Sequence, residues 1–422
     1  MLPLFFLFFV LPTDIQAEEI IKVRLVNYVG DPTKITLEMK GDYVSLDPTL
    51  TLIEGVKYAL FVDNDHLTLV GGGDTQIIVD SLVLVPRTYN EQHQILVNDR
   101  PYLGAIEFKI EQDHIRPINQ LPLEDYLKGV VPFEVYPSWG IETLKAQAIA
   151  ARTYAVTQLK QNIDDTIQFQ VYGGFDWKPN TSKAVDETKG EIITYHNKPI
   201  EAFYSASNGG KTESNAHVWG GKSISYYPIK DDPYDPTHPW EFVLHKHQLD
   251  LESINWDHQQ MWESLQEKDK QITTTMKRWL NKNGYVGEIK IISIPTFTVS
   301  DNRLNSKRAT HGSLTIEFLQ QLIEGTVLYN QLTLHNVKLN KIRPIIGGTV
   351  FKSYFIESLS ETNGVYTMNG NGYGHGVGMS QWGANTMGLK GKPYKDILQF
   401  YFPGTEIKHT SELGKQETRE GS

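Results

Sequence analysis

Trp139-Gly-Ile-Glu-Thr-Leu-Lys-Ala-Gln-Ala-Ile-Ala-Ala-Arg-Thr-Tyr-Ala155 is the stretch from which the fold is read most directly. Ile141, Leu144, Ala148, Ala151, Ala155 and then Leu159 recur at three- and four-residue steps, which predicts a helix from Trp139 to about Gln161. Ser138 is placed to cap it, and Glu142 sits favourably in its first turn. A stripe with this many alanines lets a neighbouring backbone approach closely, so the helix is expected at the centre of its domain. Arg152 lies at the edge of that stripe and is expected to turn towards a cleft.

Upstream of this helix the pattern changes. From Ile21 to about Ile115 short β segments such as Lys22-Val-Arg-Leu-Val and Gln76-Ile-Ile-Val-Asp-Ser-Leu-Val-Leu-Val alternate with Gly-Asp and Asn-Asp turns. Gln94-Ile-Leu-Val and Ala105-Ile-Glu-Phe-Lys-Ile flank an Asn98-Asp-Arg-Pro-Tyr turn and read as one hairpin. Downstream, strands and helices mix, and a more polar stretch with Trp256, Trp262 and Trp279 reads as helical. The expected fold is α+β: a β-rich N-terminal module (18–117), then a mixed domain (118–408) carrying a helical insertion at about 242–285, and a polar tail (409–422).

The extreme N-terminus bears on location. Leu2 to Leu11 is a continuous apolar run ending before Pro12-Thr-Asp-Ile-Gln-Ala17, too short to span a bilayer and suited to a signal peptide (1–17) cleaved after Ala17 or Glu18, although no basic residues precede it. A secreted or wall-associated protein is expected, or one tethered by this segment if it stays uncleaved. Forty Lys and Arg against fifty Asp and Glu give a formal net charge of −10, so nothing favours nucleic acid as a partner. The chain has no cysteine, which removes thiol nucleophiles, disulfides and cysteine-ligated metals.

Three segments carry possible chemistry. In Val131-Pro-Phe-Glu-Val-Tyr-Pro137, prolines on both sides restrict Glu134, and Phe133, Tyr136 and Trp139 give it apolar neighbours, a setting in which a carboxyl can serve as general acid. By residue type alone, a surface glutamate in a proline-bounded turn is the plainer reading. In Phe203-Tyr-Ser-Ala-Ser-Asn-Gly-Gly-Lys-Thr212, a strand runs into a Gly-Gly turn. There Tyr204, Ser205, Ser207, Gly209, Gly210 and Thr212 offer hydroxyls and close backbone approach to a polar ligand, and a plain turn is the alternative. In Asn369-Gly-Asn-Gly-Tyr-Gly-His-Gly-Val-Gly-Met-Ser-Gln-Trp-Gly383, glycine falls at every second position, so an extended conformation would have one bare face. No Gly-Lys-Ser/Thr follows it, and Gly378-Met-Ser-Gln-Trp382 misses the nucleophile-elbow pattern at its last position.

Together these motifs resemble the stage II sporulation protein D / LytB (amidase enhancer) family. The likeness runs through Leu123-Glu-Asp-Tyr-Leu-Lys-Gly-Val-Val-Pro-Phe-Glu, the alanine-rich helix, Gln170-Val-Tyr-Gly-Gly, Tyr204-Ser-Ala-Ser-Asn-Gly-Gly-Lys-Thr, Gly372-Tyr-Gly-His-Gly-Val-Gly-Met-Ser-Gln-Trp and Ile397-Leu-Gln-Phe-Tyr-Phe-Pro-Gly-Thr, covering about 120–408. The resemblance implies a peptidoglycan-directed protein of spore formers and their relatives. It also implies a lytic transglycosylase that cuts denuded glycan strands, with Glu134 as general acid/base and a 1,6-anhydro product. A single carboxyl suffices for that reaction because the nucleophile belongs to the substrate, whereas a glycoside hydrolase ordinarily uses two. From residue types in the matched motifs, Arg152 is expected to meet the lactyl carboxylate. Tyr373 and Trp382 are expected to stack on sugar rings, with His375 and Gln381 bonding hydroxyls. The zinc that some relatives hold through Cys and His is not expected here, nor any other cofactor. The alternative is a non-catalytic, wall-binding enhancer of an N-acetylmuramoyl-L-alanine amidase, with that amidase or other sporulation wall-remodelling proteins as partners. A zinc amidase is weaker still, since no His-Glu-x-x-His occurs.

Overall fold

A computed structural model describes residues 19–47, 50–71, 75–159, 163–250 and 261–413; the expected signal peptide and most of the polar tail lie outside them. The fold is α+β, with a β-rich N-terminal region followed by a region in which helices and small sheets mix. The chain divides into two compact units, one of residues up to 138 with 151–191, the other of 139–150 with everything from 192 on. The division falls inside the alanine-rich helix and does not follow the boundary expected after residue 117. Among the described residues no helix is long and apolar enough to cross a membrane.

The first unit is built on two six-stranded sheets. In Lys34–Lys40 the side chains alternate exposed and buried, with Ile35, Leu37 and Met39 inward, as a strand with one covered face requires. The Asn98-Asp99 pair makes a tight hairpin, both residues having positive φ (49° and 65°) as a two-residue turn of this hand demands. The strands it joins are Gln94–Val97 and Arg100–Tyr102, whereas Ala105–Glu111 turns at Gln112-Asp113 and pairs with His114–Pro122. The expected single hairpin is therefore two, because Gly104 (φ 81°) breaks the strand between them. Helices Leu123–Glu134 and Pro179–Glu187 complete this unit with the second half of the alanine-rich helix.

That helix spans Ile141–Gln158; Leu144, Ala148, Ala151 and Ala155 of the expected stripe have no exposed surface, but Ala146, Ile149 and Ala150 off the stripe are equally buried, so the middle of the helix is covered on all sides. The second unit holds a sheet of Lys198–Pro199, Glu191–Tyr195 and Glu406–His409. It also holds a two-stranded parallel pair of Tyr204–Ser205 with Met379–Ser380. A separate core lies between a sheet of Pro239–His245, Val365–Asn371 and Phe355–Thr362, a sheet of Glu288–Val299, His311–Gln321 and Val327–Lys338, and helices Lys270–Lys282 and Leu339–Ile346. The expected helical insertion is only partly helical. Residues from Phe242 to His245 are strand, paired with Val365–Met368, and 251–260 lie outside the described residues.

Candidate functional site

In the first unit Glu134 is the last residue of its helix, half-buried, and its Oε1 accepts the backbone N–H of Val171 at 2.9 Å. That bond ties the helix end to the Gln170–Gly174 segment. Arg152 sits far from any role as a ligand contact: it has no exposed surface. Its Nε and Nη2 meet the two carboxylate oxygens of Glu124 at 2.8 and 2.7 Å in a bidentate pair. Its remaining N–H groups reach the carbonyls of Val185 (3.1 Å) and Glu191 (3.2 Å) and the hydroxyl of Thr188. The guanidinium adds a donor to the last turn of Pro179–Glu187, at the Val185 carbonyl that the Thr188 N–H also reaches. The cleft-facing orientation expected from the helix stripe is thus replaced by an internal ion pair.

In the second unit the Tyr204–Thr212 and Asn369–Gly383 motifs are knitted together. Ser207 and Tyr373 exchange backbone bonds (3.1 and 2.8 Å), Met379 donates to the Phe203 carbonyl and Trp382 to that of Ala206, and Ser205 Oγ accepts from Gly376 N–H. The alternating glycines do not make an extended ribbon with a bare face. Gly372, Gly374, Gly376 and Gly378 all have positive φ, so the loop winds, and a Cβ on Gly378 would lie 2.1 Å from the Phe203 carbonyl oxygen. Gly209 and Gly210 likewise take positive φ in the facing turn.

Two buried carboxylates that the motif reading missed fix this arrangement. Asp235 accepts from Ser207 Oγ (2.8 Å), Thr237 N–H (2.7 Å), Asn208 N–H (2.9 Å) and Ser380 Oγ (2.6 Å), and Ser380 in turn caps Gln381–Leu389 through Gly383 N–H. Asp232 accepts from the Asn208 amide and the Tyr401 hydroxyl, and burial pushes its carboxyl above the usual range. Their signal was the turn-rich run Asp231-Asp-Pro-Tyr-Asp-Pro236. Arg308, almost fully buried, donates to the carbonyls of Asn208 and Lys211, and burial lowers its guanidinium to about 10.

His375 Nδ1 accepts the Val377 N–H at 3.0 Å, which leaves the proton on Nε2. Burial, then the positive charge of Arg308, pushes its imidazole down to about 4. It is a neutral ring. Against it, centroid to centroid 5.1 Å, lies Trp219, which packs on Phe203 at 4.4 Å and keeps 52% of its surface exposed. Tyr373 is also exposed. The Trp219 signal was legible only as a tryptophan before Gly220-Gly221. Trp382 is partly covered by Trp139 (5.0 Å) and His238 (4.7 Å). Gln381, Ser207 and Thr212 are buried and bonded internally, to Gln147, Asp235 and the Pro228 carbonyl respectively, while Tyr204 and Ser205 form the short parallel strand.

Such a polypeptide, with an alanine-rich helix and two interlocked glycine-rich motifs, matches a family model described as stage II sporulation protein over residues 111–195. It is 37% identical over 386 residues to the amidase enhancer of Bacillus subtilis, covering 90% of this chain and 54% of that protein. The chain thus spans about half the length of that relative. It is 30% identical over 312 residues to stage II sporulation protein D of Bacillus amyloliquefaciens (69% of this chain, 75% of that one), and 29% identical over 368 residues to that of Bacillus subtilis (78% and 92%). The chain belongs to the SpoIID/amidase-enhancer family. These likenesses correct the expectation of a lytic transglycosylase with Glu134 as its acid/base. The relative that aligns with nine-tenths of the chain is named for enhancing an amidase, and none of these names denotes a glycan-cleaving enzyme.

Proposed function

We propose that the chain is a non-catalytic, cell-wall-binding enhancer of an N-acetylmuramoyl-L-alanine amidase, acting outside the cytoplasmic membrane. The identity to an amidase enhancer along 90% of this chain carries the reading. The second unit supports it with a surface suited to glycan. Sugar rings present apolar C–H faces, and Trp219, packed at a tilt against a neutral His375 and against Phe203, offers a half-exposed aromatic ring, while Tyr373 on the same glycine-rich loop as His375 offers another. Ser205, Ser207, Gly209, Gly210, Thr212 and Gln381 shape the loops that carry these rings. Tyr204 and Trp382 add partly exposed aromatic edge. Glu134 serves to anchor the Val171 segment. The apolar run Leu2–Leu11 supplies export or a tether.

The test uses the full chain with a purified wall amidase and isolated sacculi. Stem-peptide release is expected to speed up with the chain present, and the glycan strands to gain no new ends. Trp219→Ala combined with Tyr373→Ala is expected to abolish co-sedimentation with glycan while leaving the melting temperature in place. An amidase rate indifferent to the chain would overturn the proposal.

A further inference from the structure

We propose that a groove between two strand edges in the second unit docks an extended, lysine- or arginine-bearing segment of a partner protein. The groove lies between Glu288–Val299, an outer strand of one three-stranded sheet, and Phe355–Thr362, an outer strand of another. It encloses about 610 Å³, within the roughly 300–1,000 Å³ typical of ligand clefts. It goes beyond the amidase reading and stands apart from the Trp219 surface.

Both walls are backbone with partners on one side. From Ile292 to Pro295 the outer side of Glu288–Val299 is closed: Gln248 N–H donates to the Ile292 carbonyl, Ile294 N–H to that of Lys246, and the Tyr366 hydroxyl reaches the carbonyls of Ile294 and Pro295. From Thr296 to Val299 the strand pairs, among the described residues, only with Gly312–Thr315, and on its outer side the Tyr366 hydroxyl also meets the backbone of Phe297. Among the described residues, Phe355–Thr362 pairs only with Val365–Asn371. A strand with one neighbour leaves alternate N–H and C=O groups pointing outward, and an extended peptide carries the matching donors and acceptors at the same spacing. The lining mixes the buried apolar Phe297, Ile356 and Tyr366 with hydroxyls such as Thr296, Thr298 and Ser358, so every second side chain of such a peptide would lie against a mixed surface.

Charge selects among peptides. Asp301, Glu357 and Glu361 line the groove and are exposed, against one guanidinium, that of Arg303. Arg303 Nη1 is drawn to the carbonyl of Ser300 in its own loop. Lys246 approaches Glu361 at 3.8 Å and the Asn371 amide donates to Glu357 Oε1 at 2.6 Å, while among the described residues neither Asp301 nor Glu357 has a cationic partner. A basic side chain at the rim meets both.

The experiment measures binding of the full chain to three short fluorescent peptides at low salt: one alternating valine and lysine, one alternating valine and glutamate, and the lysine peptide with alternate amides N-methylated. Hydrogen exchange of the chain is followed in parallel. The lysine peptide is expected to bind about tenfold more tightly than the glutamate peptide and to slow exchange at 296–299 and 357–361. N-methylation is expected to remove both effects, and Asp301→Lys with Glu357→Lys to reverse the peptide preference. Equal binding of the two charges, unchanged binding after N-methylation, or protection elsewhere in the chain would each overturn the proposal. So would failure of the lysine peptide to bind.

Discussion

Replacing Arg152 separates a structural from a ligand-binding role. Its guanidinium is fully buried, bidentate with Glu124 and bonded to two further carbonyls, so truncation strands a carboxylate and opens the end of Pro179–Glu187. Removing one member of a buried pair costs about 3–5 kcal/mol, and in a domain of about 150–250 residues each kcal/mol lowers the melting point by about 2–4 °C. Arg152→Met is therefore expected to melt about 6–20 °C lower by calorimetry. Arg152→Lys should recover little of this, because a single ammonium cannot reproduce the planar fork. Arg152→Met together with Glu124→Leu should recover a substantial part, since no charge is then left unpaired. Had Arg152 met a glycan carboxylate, as its residue type in the matched motif suggested, Arg152→Met would leave melting unchanged and abolish wall binding. That outcome would refute the reasoning.

His375 predicts a pH dependence. Its imidazole lies at about 4 in the folded chain against about 6.5 unfolded, so between these values the unfolded state holds the extra proton and stability falls as pH falls, by at most about 3 kcal/mol. Urea midpoints compared between pH 7 and pH 4 should fall less steeply for His375→Gln than for the unaltered chain; equal slopes would contradict the assignment. Gly378→Ala meets both a positive φ of 74° and the Phe203 carbonyl, whereas Gly391→Ala meets a similar φ of 75° in open space. Gly391→Ala is expected to cost about 1–2 kcal/mol in denaturant unfolding, and Gly378→Ala clearly more. Equal losses would show that the loop relaxes around an added methyl.

The existence of the alanine-rich helix was legible from its periodic small residues, but its burial was not: Ala146, Ile149 and Ala150, off the stripe, are as fully covered as Ala148 and Ala151, because other elements pack on every side of its middle. The Asn98-Asp99 turn was legible for a local reason too, since few residue pairs tolerate two positive φ values, but which strands it joined depended on Gly104. Arg152 was misread because its partners, Glu124, Val185 and Glu191, are distant in sequence, and a charged residue at a stripe edge looks the same whether it turns out or in. The alternating glycines were misread because glycine has two uses, a bare face and a left-handed φ, and only the neighbouring backbone decides between them.

In the second unit the buried acids have structural work. A carboxylate that acts on a substrate needs an oxygen left open to it. Here Asp235 accepts four hydrogen bonds, and Glu213 is held by Ser214 N–H, His217 and Ser306 Oγ. Asp232 is likewise occupied by Asn208, Tyr401 and the N–H groups of Tyr234 and Asp235. These acids brace loops, and the loops in turn need glycine to wind past one another. What they present outward is aromatic: Trp219 and Tyr373. Rigid acids within and stacking rings without are consistent with the proposed enhancer, whose surface would hold a polysaccharide for another protein to work on.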